Sequence, residues 1–236
     1  MFQNRLKSLY KLVNNNFQLH ITGSEHIDPK KNYIFAMNHQ SIMDIPIAFA
    51  VLVPRTNLKI TLFLSHFFYA IFFPLTRPLG VLRINMNKGK SIKTIRFNQG
   101  QIIKGIRRLR LGGSALIYPE GSILGGLNSN ILRGETGVIR LAIKSGIPII
   151  PIGIRGSNLA YPLALNTYNP LTVRTRHPIH INIGAPIYVQ GTQEVDLKRY
   201  SEEARFILRY LTDQLMEKLA ELSGLPKVRP IGLSNH

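Results

Sequence analysis

The feature that most constrains the fold is an alternation of short apolar runs with longer stretches of helical periodicity. Phe17 to Thr22, Tyr33 to Met37, Gly80 to Ile84, Ser114 to Tyr118 and Ile147 to Ile154 read as strands, the last interrupted by Pro148 and Pro151, and Val173 to Ile183 supplies one or two more. Between them lie helical segments. One begins near Ser41 and runs to Val53, with Pro46 in its first turn, where a missing N–H costs little. Ser91 to Arg110 carries Ile92, Ile95, Ile102, Ile106 and Leu109 at helical spacing, weakened by Gly100 and Gly105. Thr136 to Ser145 is closed by Gly146, and Val195 to Leu222 carries one stripe through Ile207, Tyr210, Leu211, Leu215 and Leu222. Strand and helix in alternation predict an α/β protein with a mostly parallel central sheet flanked by helices. The chain's 236 residues suffice for one such core, so a single domain is expected.

The ends read differently. Phe2, Leu6, Leu9, Tyr10 and Val13 recur at helical spacing, with Arg5, Lys7 and Lys11 elsewhere, and no acidic residue precedes Glu25. Residues 1–16 therefore read as an amphipathic helix suited either to packing on the domain or to associating with a membrane. Residues 17–224 form the domain, and residues 225–236 read as a loose tail.

The net charge is +18, which calls for a polyanionic partner. Its distribution narrows the choice. From Ile45 to Pro119 there is no Asp or Glu, while the same stretch holds seven Arg and five Lys. It also contains the most apolar run of the chain, Ile60 to Leu75, which is shorter than the ~20 residues of a spanning helix and carries His66. That run reads as a core or interfacial segment. Basic residues flanking apolar segments suit an anionic membrane surface; a nucleic-acid binder would instead interleave them with aromatics on a polar face. There is no cysteine, so disulfides and thiolate metal sites are excluded, and no cluster has metal-ligand spacing. His66 reads as a core histidine, and His177 and His180 lie in a strand-like segment with no carboxylate near them in sequence.

Chemistry is concentrated in Asn38-His39-Gln40-Ser41-Ile42-Met43-Asp44, where a strand ends and a helix begins, the place where open α/β sheets hold their active sites. With His39 in the loop and Asp44 in the first helical turn, the carboxylate can accept from one ring nitrogen and leave the other free to take a proton. A base with its orienter needs no serine or cysteine nucleophile when the substrate brings its own hydroxyl. Glu120 is the first carboxylate after the long basic stretch, at the end of a buried strand. Such a group is costly unless bonded, so it is expected to bind substrate or a basic neighbour, or else to hold its loop through a buried ion pair.

The ordered motifs resemble the glycerolipid acyltransferases of the lysophosphatidate acyltransferase family. Asn38-His39-Gln40-Ser41 with Asp44 is similar to that family's NHxSxxD block, and Tyr118-Pro119-Glu120-Gly121-Ser122 to its FPEGTRS block. Arg133-Gly134-Glu135-Thr136-Gly137 with Arg140-Leu141-Ala142, then Ile147-Pro148-Ile149-Ile150-Pro151, are similar to the segments that follow. The resemblance covers about residues 17 to 190. It implies that His39 and Asp44 are catalytic and that Glu120 and Gly121 help place the acceptor. It also implies substrate contacts from Asn38, Ser41 and Ser122, and an acyl-lining role for the strand from Ile147. The implied reaction moves a fatty acyl group from acyl-CoA or acyl carrier protein, a co-substrate rather than a bound cofactor, to a lysolipid hydroxyl. Its implied setting is the cytoplasmic face of a membrane, with the protein peripheral or monotopic.

Two positions depart from the family pattern. Asn85-Met86 follows Gly80-Val81-Leu82-Arg83-Ile84, so an arginine usual there is missing, and Ile123 stands where the third block usually has Arg. In the family these arginines are linked to the acceptor's phosphate, and neither Met nor Ile can donate a hydrogen bond. Either Arg83, Lys88, Arg133 or Arg155 substitutes for them, or the acceptor lacks phosphate at that point. A lysoglycerolipid phosphate acceptor is the leading expectation. The alternatives are a transacylase, a non-phosphate acceptor, or an inactive lipid-binding protein of the same fold.

Overall fold

The computed structural model describes residues 11, 13–56, 60–65, 80–85, 91–123, 129–161, 177–189 and 201–227. Among these residues, seven strands form one sheet: β1 (Gln18–Thr22), β2 (Ile34–Met37), β3 (Ile60–Ser65), β4 (Leu82–Ile84), β5 (Ser114–Ile117), β6 (Ile149–Arg155) and β7 (Pro178–Ile183). The helices are α1 (Asp44–Leu52), α2 (Ile92–Arg110), α3 (Gly137–Ser145), the short α4 (Ser157–Ala160) and α5 (Glu202–Ser223). The spatial order is β1-β7-β6-β2-β5-β3-β4. Every neighbouring pair is parallel except β6 with β7, so β1 and β7 together run against the other five. The expected mostly parallel α/β domain is what forms.

The central strands are buried on both faces, and side-chain alternation splits their residues between two cores. Phe35, Met37, Leu116, Ile150, Ile152 and Ile154 face α1, where they meet Ile47, Phe49, Val51 and Leu52. Ile34, Ala36, Ala115 and Ile149 face the opposite way, onto Leu109 of α2, Val138 and Leu141 of α3, and Leu208 and Leu215 of α5. At ~25 cal/mol per Å² of apolar surface removed from water, these two layers are the main favourable term in folding.

Several elements differ from the sequence expectation for physical reasons. The apolar run from Ile60 begins as strand β3, paired with β5 and β4; the rest of that run, including His66, lies outside the described residues. Pro151 does not break β6. Its carbonyl accepts from Gly184 N at 2.8 Å, on the β7 side. A strand residue's N–H points the same way as its C=O, so the missing N–H falls where pairing with β7 lapses, between the Ile149–Ile187 bridge and the ladder that starts at Ile152–Ile183. In α2 the packed face is Gln101, Gly105 and Leu109, with Ile102 and Ile106 half-buried; Ile92 and Ile95 are exposed. Gly105 is needed there, since a Cβ would sit 2.6 Å from the Phe63 ring.

Helix α5 starts at Glu202, because Ser201 caps it through Ala204 N. At the other end the tail expected to be loose is packed over its first three residues: Leu225 is buried, Pro226 O accepts from Ile131 N at 2.9 Å, and Lys227 pairs with Ile131 in a bridge. Of the expected N-terminal helix, residues 11 and 13–16 are helical and Val13 is buried; residues 1–10 and 12 lie outside the described residues. Among the described residues, no helix is long and apolar enough to cross a membrane.

Gly153 marks a close approach of α5 to the sheet, for a Cβ there would run into the backbone of Leu222 and Ser223. Gly153→Ala is expected to cost about 1–3 kcal/mol by forcing strand and helix apart, read as a lower urea midpoint at unchanged slope.

Candidate active site

Strands β2 and β5 are neighbours whose chains leave in opposite directions. After β2 the chain passes through α1 to β3, beyond β5; after β5 it passes through α3 to β6, on the far side of β2. Such a reversal opens a crevice at the carboxyl ends of the two strands. Residues 38–44 leave β2 there, and residues 118–122 leave β5 beside them.

The site is organised by Asp44, which is fully buried at the first position of α1. Its Oδ2 lies 2.8 Å from His39 Nδ1, and accepts from Gln40 N at 2.6 Å and Ser41 N at 2.8 Å. An oxygen that accepts from two backbone N–H groups is an acceptor for the ring as well, so Nδ1 carries the hydrogen and Nε2 keeps its lone pair. The first turn of α1 adds the positive end of a helix dipole beside the carboxylate.

Tyr118 covers the imidazole. Its ring stacks on His39 with centroids 4.1 Å apart and 23° between planes. The phenol is buried, and its oxygen has no hydrogen-bond partner among the described residues. Burial, and then the charge of Asp44, raise its pKa well above the ordinary tyrosine value, so it stays a neutral phenol. Asp44 Oδ1 and both amide ends of Gln40 are likewise buried and unbonded among the described residues.

Glu120 is held by main-chain donors. Its Oε1 accepts from His39 N at 2.7 Å and its Oε2 from Leu132 N at 2.8 Å, so one carboxylate clips the catalytic loop to the segment after residue 129. Of the two sequence readings, substrate or basic neighbour on one side and a loop-holding ion pair on the other, the structure shows Glu120 holding the loop, but through two backbone donors rather than a cation, at less desolvation cost than a second charge. Burial pushes Glu120 up to about 7; its two backbone hydrogen bonds pull the value down, and the nearby Asp44 charge raises it.

The other residues singled out in the sequence divide clearly. Asn38 is fully buried and pairs with Ile154 in both directions, donating from Nδ2 to its O at 2.9 Å and accepting at Oδ1 from its N at 2.7 Å. Ser41 donates from Oγ to Tyr161 O at 3.2 Å. Both are therefore committed to shaping the loop. Gly121 closes a turn to Tyr118 O and takes φ of 64°, the left-handed region that favours glycine. Ser122 and Ile123 follow it, half-buried. Arg133 is exposed on the loop next to Leu132, whereas Arg83 is half-buried on β4, separated from β5 by β3. Arg155 ends β6 exposed, opposite His180 of β7. Met86 and Lys88 lie outside the described residues. Sequence reasoning missed the part played by Tyr118 and Leu132. An aromatic residue two positions before Glu120 was the available signal for Tyr118; a backbone N–H leaves none.

The structure therefore brings the two motif residues His39 and Asp44 together as a buried pair at the mouth of a parallel sheet. The acyltransferase family model matches residues 18–155, more than half of the chain, and the chain belongs to that family. It is an acyltransferase. It is 26% identical over 202 residues to a 1-acyl-sn-glycerol-3-phosphate acyltransferase of Borreliella burgdorferi, covering 84% of this chain and 70% of that protein. In fold it is similar to the crystal structure of the 1-acyl-sn-glycerophosphate acyltransferase PlsC of Thermotoga maritima, with a TM-score of 0.62 and 21% identity over 92% of this chain and 79% of that one.

Two outcomes follow from the geometry. Folding raises the pKa of Glu120, so its contribution to stability is full below the unfolded carboxyl value near 4.5 and is lost as pH rises through about 7. The stability advantage of the wild type over Glu120→Gln should therefore shrink as the pH is raised between those two values, at a slope of about 1.4 kcal/mol per pH unit in paired urea titrations. For Tyr118, the ring matters and the hydroxyl does not. Tyr118→Phe should keep kcat, while Tyr118→Leu should lower it about 2- to 10-fold at unchanged KM, as expected for losing one ring–ring contact.

Proposed function

We propose that this acyltransferase moves a fatty acyl group from an acyl thioester, on coenzyme A or acyl carrier protein, to the free hydroxyl of 1-acyl-sn-glycerol 3-phosphate in membrane phospholipid synthesis. The observation that carries the reading is the His39–Asp44 bond at 2.8 Å, which leaves Nε2 as the acceptor nitrogen. The activities named for the two similar proteins support the choice of acceptor.

In this mechanism Nε2 takes the hydroxyl proton as the acceptor oxygen attacks the thioester carbonyl. The new C–O bond forms, the carbonyl electron pair moves to oxygen, and the tetrahedral intermediate then expels the thiolate. The imidazolium returns its proton to the departing sulfur, so the enzyme ends as it began. Asp44 stabilises the imidazolium through Nδ1, and the Tyr118 ring presents a π face to the same cation. Arg133, exposed beside the Glu120–Leu132 clip, is the basic residue best placed to meet an acceptor phosphate. The protein works at the cytoplasmic face of a membrane, as a peripheral or monotopic enzyme.

Incubating the full chain with labelled acyl-CoA or acyl carrier protein and a panel of lysolipids, with products read by mass spectrometry, tests the acceptor and donor. Phosphatidate from lysophosphatidate is the expected product. Acylation of phosphate-free lysolipids alone would overturn the acceptor assignment, in line with Ile123 standing where the family pattern has arginine. His39→Ala should lower turnover about 10²–10⁴-fold while the variant unfolds as cooperatively as the wild type. Near-normal turnover by that variant would remove His39 from the mechanism.

A further inference from the structure

Helix α2 shows an outer face that is not packed against the other described elements. Ile92 is 69% exposed and Ile103 66%, and Leu111, just past the helix, is 77%. Large aliphatic side chains at that exposure have left the core. Their spacing is ordered: positions 92, 96, 99, 103 and 107 advance by three or four residues and so form one ridge, reading Ile92, Arg96, Gln99, Ile103, Arg107. Lys93 and Lys104 are exposed beside it. Among the described residues, none of Lys93, Arg96, Lys104 and Arg107 has an ion-pair partner, and the sequence from Ile45 to Pro119 contains no carboxylate to provide one.

We propose that this ridge is a docking surface for an anionic phospholipid bilayer, with Ile92 and Ile103 inserted at the level of the upper acyl chains and Arg96, Arg107, Lys93 and Lys104 at the level of the phosphates. Aliphatic and cationic residues mixed along a single exposed line match the layered chemistry of a lipid interface, where apolar depth and surface charge add. An acidic protein partner would need an apolar ridge of its own to cover the isoleucines, whereas a bilayer supplies acyl chains beneath its phosphates along its whole surface. Position agrees as well. The chain enters α2 from β4 and leaves it for β5, so its first turn, with Ile92, lies at the carboxyl end of the parallel strands, the end that holds His39 and Asp44. The choice of a lipid partner rests on the reading of the acceptor as a membrane lipid. Vesicle binding is measured without turnover, so the two readings fail separately.

The test is flotation of the full chain with vesicles of phosphatidylglycerol and phosphatidylcholine, against vesicles of phosphatidylcholine alone, over a salt series. Binding to the anionic vesicles that weakens with salt is expected, and Arg96→Glu with Arg107→Glu should lower the partition coefficient about tenfold or more. The chain has no tryptophan, so Ile103→Trp introduces a single reporter. Its emission should shift to the blue on anionic vesicles and be quenched by brominated acyl chains. Unchanged partition of the double charge variant, or an indole at position 103 that stays in water while the protein floats, would overturn the proposal. So would binding to an acidic carrier protein without binding to vesicles.

Discussion

The site depends on one oxygen. Asp44 Oδ2 gathers the His39 ring and the backbone N–H groups of Gln40 and Ser41, all within 2.8 Å. A buried carboxylate is tolerable only when donors surround it, and here the donors are the loop it must shape. Fixing the tautomer of the base and folding the loop are thus one event. The tertiary fold supplies what this needs: a strand end that stops at Met37, a helix that starts at Asp44, and a neighbouring strand whose turn brings Tyr118 and Glu120 against the same loop.

Much of this is legible in the sequence. The alternation of apolar runs and helical periods implies the layer architecture, since a sheet buried on both faces leaves little freedom in which residues point inward. A His and an Asp five residues apart are common by chance, and His39 and Asp44 become legible through the family resemblance of the ordered blocks around Asn38, Glu120 and Ile147. Glu120 is legible as important but not as a clip, since its partners are main-chain N–H groups that look alike in every sequence. The motif resemblance makes Asn38 a substrate contact. Its amide instead imitates a strand residue toward Ile154, a pairing that depends on β6 lying beside β2. Periodicity alone puts the exposed isoleucines of α2 in the core, because it reports that a stripe exists and not which way it turns. Gly105 decides that, by allowing the helix to rest on the Phe63 ring along a different line.

The buried carboxylates of the site are not paired with the chain's many described cations. Among the described residues of this chain of net charge +18, the buried carboxylates Asp44 and Glu120 are held by main-chain donors and the His39 ring rather than by Lys or Arg. The exposed cations of α2 lie on its outer face, away from these two carboxylates.

The Glu120 clip also links His39 to the turn beyond the last helix. Pro226 O takes the N–H of Ile131, the next residue gives its N–H to Glu120, and Glu120 takes the N–H of His39. The base is thus tethered, through three main-chain donors and one carboxylate, to the stretch that follows α5. A chain ending at Gly224 would lose the first of these tethers. The bonds of Glu120 to Leu132 and His39 would remain, but the segment that carries Leu132 would no longer be pinned from its other side, so the short stretch after α5 braces the loop from a distance.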